Sequence, residues 1–315
     1  MFFSKKKVTD FFHYLYFVFF FYLFRKDLKY MDSENKNIIK IATELELNIP
    51  RKIWIFWYDL DMPEFVDYCV KNVRKLHLDY EVYVLNKDNV TDYLDIDVSI
   101  LMDKMPIANL SDFIRLKLLQ KYGGIWMDAS IILDKNIEEF FLVKKNIFEI
   151  IGFYNAYQSE GCRFPVLESW FLAAPKDSKF INAWLSYFEP ISELGSVALF
   201  ENFKKHPDFD ELCKGLGDPS YLVVYIAEKL AYKDMLDKCN MLFYCCDDSA
   251  FSVQIYSKWL TRKCIVNLYI RDKFVFSPIY KLTSGDRKYY DFLKKNNLIN
   301  KKSIIGSFLG RMNRD

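Results

Sequence analysis

The sequence predicts an α/β fold in which a parallel, Rossmann-like sheet carries a nucleotide-binding half. Two stretches and the core composition predict it. Residues 49–85 read strand, helix, strand (IPRKIWIFW, EFVDYCVKNVRKL, YEVYVL), a spacing that suits two parallel neighbours joined by a helical crossover. Residues 106–133 read as a helix, a two-glycine stop and a short buried strand ending on a carboxylate. Half of the 315 residues are apolar, with 29 Phe, 22 Tyr and 6 Trp, so a large core is easily built.

The chain opens with its most hydrophobic stretch, VTDFFHYLYFVFFFYLF at 8–24. Its apolar part spans about 21 Å as a helix, short of a ~30 Å hydrocarbon core, and its aromatics favour the interface over the bilayer centre. No small-residue cleavage site follows it. It reads as a helix lying on a membrane, anchored by Lys5, Lys6, Lys7, Arg25 and Lys26; a helix packed on the protein's own body is the alternative, and a single-spanning anchor a third. Residues 32–48 are polar and mildly helical, a connector to the strand that Pro50 begins. In the helix at 63–76, Phe65, Cys69, Val73 and Leu76 point inward at helical spacing.

The central block is PIANLSDFIRLKLLQKYGGIWMDASIIL. Asn109 suits a helix N-cap with Asp112 as its capping-box partner, and Leu110, Phe113, Ile114 and Leu118 form an apolar face. Gly123 and Gly124 end the helix, since glycine adopts positive φ without steric cost. Ile125, Trp126 and Met127 suit a buried strand, which puts Asp128 at a strand's carboxyl end, where open α/β sheets bind ligands. Asp112 and Arg115 share a helix face. A carboxylate beside a guanidinium can grip a polyhydroxylated sugar, and Asp128 can reach a ribose, a sugar hydroxyl or a divalent cation. Each also has an ordinary reading: a first-turn carboxylate, its ion-pair partner, and a strand-end turn residue.

Further on, Asp134-Lys135 and then a helix through Phe141 are expected, followed by strands at 148–154 and 166–174 and a helix at 178–188. Glu168, Ser169 and Trp170 lie within the second of these strands. The turn GLGDPS opens another helix, and Asp218 in it suits a helix cap followed by proline. Net charge is +2, so no strongly basic field advertises nucleic acid. The basic residues concentrate at both ends: residues 1–30 hold six Lys/Arg against two Asp, and residues 287–315 eight against two. Such ends suit an anionic membrane surface or simple solvation. Seven cysteines without CxxC or zinc spacing suit a reducing compartment.

LSDFIRLKLLQKYGGIWMDAS resembles the signature of the capsular polysaccharide synthesis protein family, related to DXD-containing nucleotide-sugar transferases that include fungal mannosyltransferases and clostridial glucosylating toxins. The resemblance runs from IPRKIWIFW to SPIYKLTSG and implies a GT-A type domain over 49–286, between an N-terminal helical segment (1–48) and a basic C-terminal tail (287–315). It implies that Trp57 lies beside the nucleotide base, that Asp112 and Arg115 hold the donor sugar, and that Asp128 serves the ribose and a Mg²⁺ or Mn²⁺. Ser130 stands where many relatives carry the second Asp. Glu168, Ser169 and Trp170 occupy the region facing the sugar or acceptor, Asp218 a segment near the acceptor, and Lys281 approaches the diphosphate. Tyr280 stands where relatives usually carry His, which together with Ser130 weakens the metal assignment. The expected activity is sugar transfer, retaining by resemblance, from a nucleotide-sugar donor to a bacterial surface polysaccharide or lipid-linked glycan at the cytoplasmic face of the plasma membrane. A toxin-like or Golgi transferase and an inactive nucleotide-sugar-binding module are the rivals.

Overall fold

A computed structural model describes residues 5–23, 37–42, 46–142 and 145–313. Its strands are β1 (Ile38–Lys40), β2 (Lys52–Phe56), β3 (Glu81–Leu85), β4 (Gly124–Met127), β5 (Ile131–Leu133), β6 (Ile150–Asn155), β7 (Val166–Ala174), β8 (Met241–Cys245) and β9 (Ile279–Lys281). The helices that frame them are α1 (Lys5–Leu23), α2 (Glu64–Leu76), α3 (Ile107–Tyr122), α4 (Lys179–Phe188), α5 (Val223–Met235), α6 (Tyr290–Lys295) and α7 (Ile304–Met312).

Seven strands form one sheet in the order β1-β8-β6-β7-β4-β2-β3, and β5 pairs with β9 in a separate ribbon. The half formed by β2, β3 and β4 is parallel as expected, with β2 between β3 and β4. Beyond it the sheet is mixed, because β7 runs antiparallel to both β4 and β6. The short link from Asn155 to Val166 reverses the chain, whereas a parallel return needs a longer crossover. The whole is a mixed α/β arrangement consistent with a GT-A-like fold.

Strand periodicity divides the core. In β2, Trp54 and Phe56 face the layer under α3, α4 and α5, while Ile53 and Ile55 face α2. A third apolar cluster lies outside α2, where Phe65 and Cys69 meet α1, α6, α7 and the helical stretch Val266–Ile270. The amphipathic pattern of 63–76 is therefore used on two sides, with Leu76 only half-buried.

Several expectations change. Residues 38–40 pair antiparallel with β8 instead of continuing a helical connector. A short 3₁₀ turn, Ile137–Glu139, replaces the helix expected after Asp134-Lys135 through Phe141. The C-terminal segment is no appended tail: Ile304, Ile305 and Phe308 are buried in the third cluster, so its apolar run is not a surface signal and the body continues past residue 286.

Helix α1 docks by one face. Phe17 is fully buried, its ring 5.4 Å from that of Tyr289 and 6.4 Å from that of Phe292, and Arg262 lies over Tyr16. The other face leaves Phe11, Phe12 and Leu15 exposed. Among the described residues no helix is long and apolar enough to cross a membrane. The anchors Arg25 and Lys26 lie outside the described residues.

Candidate active site

Helix α3 begins three residues earlier than its sequence suggests. Pro106 precedes it without a side-chain cap, and Asn109 lies inside the first turn, buried, donating through Nδ2 to the Tyr221 carbonyl at 3.2 Å. The capping box of Asn109 and Asp112 is thus absent, which leaves Asp112 available for other contacts. The glycine stop is as expected: Gly123 and Gly124 have φ of +64° and +99°. A Cβ on Gly124 would stand 2.6 Å from the Lys52 carbonyl oxygen, so only glycine lets β4 close against β2 here. Trp54 fixes the turn by donating to the Gly123 carbonyl at 2.9 Å.

This register delivers Asp128 just past β4, its backbone N–H donating to the Trp170 carbonyl at 2.9 Å. Arg115 sits behind it, buried, with its guanidinium 4.9 Å from the centre of the Trp126 ring. One Nη donates to Asp112 and to Ser169 Oγ, and the other donates to Asp128 Oδ1 at 3.0 Å. Trp126 Nε1 also donates to Asp128 Oδ1 at 3.0 Å. The pairing of β5 with β9 sets Lys281 opposite Ile131. From there the Lys281 ammonium donates to Asp128 Oδ2 at 2.7 Å and to Ser130 Oγ at 3.1 Å. Asp112, Arg115, Asp128, Ser130 and Lys281 are therefore one connected polar network.

In front of it lies a cleft of about 340 Å³ whose walls include Trp57, Tyr58, Asp128, Ser130, Lys281 and Arg287. A larger hollow of about 800 Å³ beside α7 has no carboxylate in its lining, so the smaller cleft is the candidate site. Trp57 stands in its wall with the Arg287 guanidinium 5.5 Å from its ring centre. Asp112 and Arg115 form the layer behind the wall. Asp218 is not drawn in: it is exposed and caps its own turn, accepting from Ser220 and Tyr221. Ser169, Trp126 and Arg287 join the site without having been singled out for these contacts. Arg287 had the clearest signal, directly following the SPIYKLTSGD segment, six residues after Lys281.

Burial pushes the Asp112 carboxyl up to about 6; the Arg115 charge opposes this and the Asp128 charge adds to it. Burial also raises Asp128, but the charges of Lys281 and Arg115 and the bonds from Lys281 and Trp126 outweigh it and hold the carboxyl below its usual range. Next to Ser169, burial raises Glu168 to about 7 against hydrogen bonds from Asn155 and Tyr225.

The residues present fit a directly ligated divalent cation poorly. Both Asp128 oxygens already accept from cations. Ser130 Oγ donates to the Leu282 carbonyl at 2.8 Å and receives Lys281. Tyr280 is buried, its hydroxyl donating to the Val275 carbonyl at 2.7 Å. Among the described residues no group of three or more His, Cys, Asp or Glu gathers where it could hold a metal ion.

The family described as capsular polysaccharide synthesis protein matches residues 6–190, more than half of the chain. The O-glycosyltransferase braB of Annulohypoxylon truncatum is 29% identical over 191 residues, covering 53% of this chain and 44% of that protein. The O-glycosyltransferase PaGT of Phomopsis amygdali is 25% identical over 160 residues, covering 49% and 38% respectively. The chain thus spans less than half the length of these curated relatives. Among solved structures, the PaToxG glycosyltransferase superposes with a TM-score of 0.31 at 14% identity, over 59% of this chain and 79% of that one.

Proposed function

This chain belongs to the capsular polysaccharide synthesis protein family, and we propose that it is a glycosyltransferase using a nucleotide-sugar donor. The observation that carries the reading is the network in which Arg115 joins Asp112 to Asp128 while Lys281 closes on the far oxygen of Asp128, at the back of a cleft walled by Trp57. In this reading Trp57 takes the nucleotide base, for which stacking is worth about 1–3 kcal/mol. Asp128 takes the ribose or a sugar hydroxyl as acceptor, and Lys281 meets the diphosphate. Asp112 and Arg115, set behind the wall, hold Asp128 in place and define the sugar-side floor with Ser169. Retention of configuration is the expectation attached to the Asp112/Arg115 pair, and the anomeric configuration of the product checks it.

The acceptor we infer is a growing polysaccharide or a lipid-linked glycan at the cytoplasmic face of a membrane. The exposed Phe11, Phe12 and Leu15 of α1 support surface attachment, since aromatic and aliphatic side chains on one helix face bury at the headgroup boundary. A lumenal enzyme is disfavoured by Asn109, which begins the N-glycosylation sequence Asn109-Leu110-Ser111 but whose side-chain nitrogen is buried and engaged where a glycan would attach.

The test is a melting-temperature profile of the full chain against UDP- and GDP-sugars, followed by release of nucleoside diphosphate from whichever donor stabilises it. A stabilising donor that is slowly hydrolysed is the expected result. Stabilisation with no release under any acceptor condition points to the binding module instead, and no stabilisation by any donor overturns the reading.

A further inference from the structure

We propose that this site transfers its sugar without a divalent cation, with Lys281 and Arg287 supplying the positive charge at the departing diphosphate. The inference rests on the glycosyltransferase reading and deepens it.

A cation bound at Asp128 would have to displace the Lys281 ammonium from Oδ2, 2.7 Å away, or the Arg115 guanidinium from Oδ1, 3.0 Å away. Breaking either contact strands a largely buried charge, which is costly. The next candidate ligand, Ser130, is engaged through its hydroxyl by both Lys281 and the Leu282 carbonyl. The place where a metal would sit is thus filled by the chain's own ammonium. An ammonium has three donors, and Lys281 spends two of them, on Asp128 and Ser130, leaving one for a phosphate oxygen.

Arg287 is the second cation. Thr283 and Asp286 cap each other reciprocally at the start of the turn Ser284–Arg287, and Gln254 holds Asp286 from behind at 2.9 Å. That turn brings Arg287 back to the cleft wall, where Nε donates to the Thr283 carbonyl at 3.3 Å. Its Nη groups meet no acceptor among the described residues, and its guanidinium faces Trp57. A planar fork with both Nη groups to spare suits a phosphate bidentately. In the transfer, the bond from the anomeric carbon to the phosphate oxygen breaks with its electron pair on the phosphate. The acceptor oxygen bonds to the anomeric carbon, and its proton passes by way of the departing diphosphate to solvent. Lys281 and Arg287 neutralise the charge that develops on the phosphate, which is the electrostatic help such a step most needs.

The experiment is calorimetry of the full chain with inorganic pyrophosphate, UDP and GDP, each in EDTA and in Mn²⁺. At least one should bind in EDTA with an affinity that Mn²⁺ changes by no more than about twofold, a small coupling free energy. Arg287→Leu and Lys281→Met should each weaken that binding about tenfold or more, with Arg287→Lys recovering part of it. Lys281→Ala and Lys281→Met both free Asp128 Oδ2 and Ser130 Oγ, so Mn²⁺ should strengthen diphosphate binding in the Lys281 variants but not in wild type or Arg287→Leu. If Lys281→Ala fails to fold, the wild-type comparison and Arg287→Leu decide. Wild-type binding that appears only with Mn²⁺ overturns this inference while leaving the glycosyltransferase reading intact. Binding of none of the three probes in either medium removes both.

Discussion

Lys281 Nζ donates to Asp128 Oδ2 at 2.7 Å, joining two residues 153 positions apart in the chain. The contact exists because β9 lies antiparallel on β5, whose first residue follows the Asp128–Ser130 turn. It completes the coordination of a carboxylate whose other oxygen belongs to Arg115 and Trp126. The site thus depends on cations placed from two directions.

Arg115 is the positioning residue on which that arrangement turns. Arg115→Met leaves Asp112 and Asp128 without their shared counter-charge, and losing one partner of a buried ionic network costs about 3–5 kcal/mol. Arg115→Lys keeps a charge but, as a point donor, cannot span both carboxylates and Ser169. It should melt closer to wild type while lowering donor hydrolysis by about 100-fold or more. Near-normal hydrolysis in Arg115→Lys would place the chemistry elsewhere.

Glu168 predicts a pH dependence of stability. Its carboxyl is raised in the folded chain from 4.5 to about 7, chiefly by burial. The native state therefore binds its proton more tightly than the unfolded chain does. That contribution is complete below about pH 4.5 and is lost as pH rises through about 7, a swing of at most about 3 kcal/mol. Glu168→Gln, neutral at every pH and able to accept from Asn155, should flatten the decline in melting temperature between these limits and melt higher at pH 8. A variant whose melting curve tracks wild type across the window would show that Glu168 stays ionised.

At the turn into β4, Gly124→Ala forces a Cβ to 2.6 Å from the Lys52 carbonyl oxygen at φ +99°. At Gly123→Ala the nearest atom is the Lys176 amide nitrogen at 2.4 Å, at φ +64°. Both positions combine a conformation unfavourable to alanine with backbone that cannot yield, so each should cost well over the roughly 1 kcal/mol of an ordinary strained site. Gly217→Ala, where a Cβ meets open space, is the control, and equal denaturation midpoints for all three would refute the steric account.

The two faces of α1 should separate by mutation. Phe17→Ala opens a cavity among Tyr289 and Phe292 and should lower stability by about 3–5 kcal/mol where the helix unfolds with the body. Phe11→Ser, Phe12→Ser and Leu15→Ser combined should leave the melting temperature unchanged yet reduce sedimentation with anionic vesicles. Salt should weaken but not abolish wild-type binding, since screening removes only the charge contribution. A triple variant that binds vesicles as wild type does would leave α1 a packing element alone.

By itself, the sequence determined what local rules govern. The spacing of Leu110, Phe113 and Ile114 specified α3, the glycine pair specified its end, and the short apolar run after it specified a strand delivering Asp128. These follow from contacts within a few residues and from the conformational freedom of glycine. Tertiary structure decided the rest. Nothing local shows that Lys281 lands on Asp128, that Arg287 leaves a basic-looking end to stand over Trp57, or that the last apolar run is core. It also turned the sheet antiparallel at β7 and moved Asp112 and Arg115 behind the cleft wall. Those outcomes depend on which strands pair and which helices share a cluster. Such choices are made by burial of apolar surface over long sequence separations, and no window of neighbouring residues encodes them.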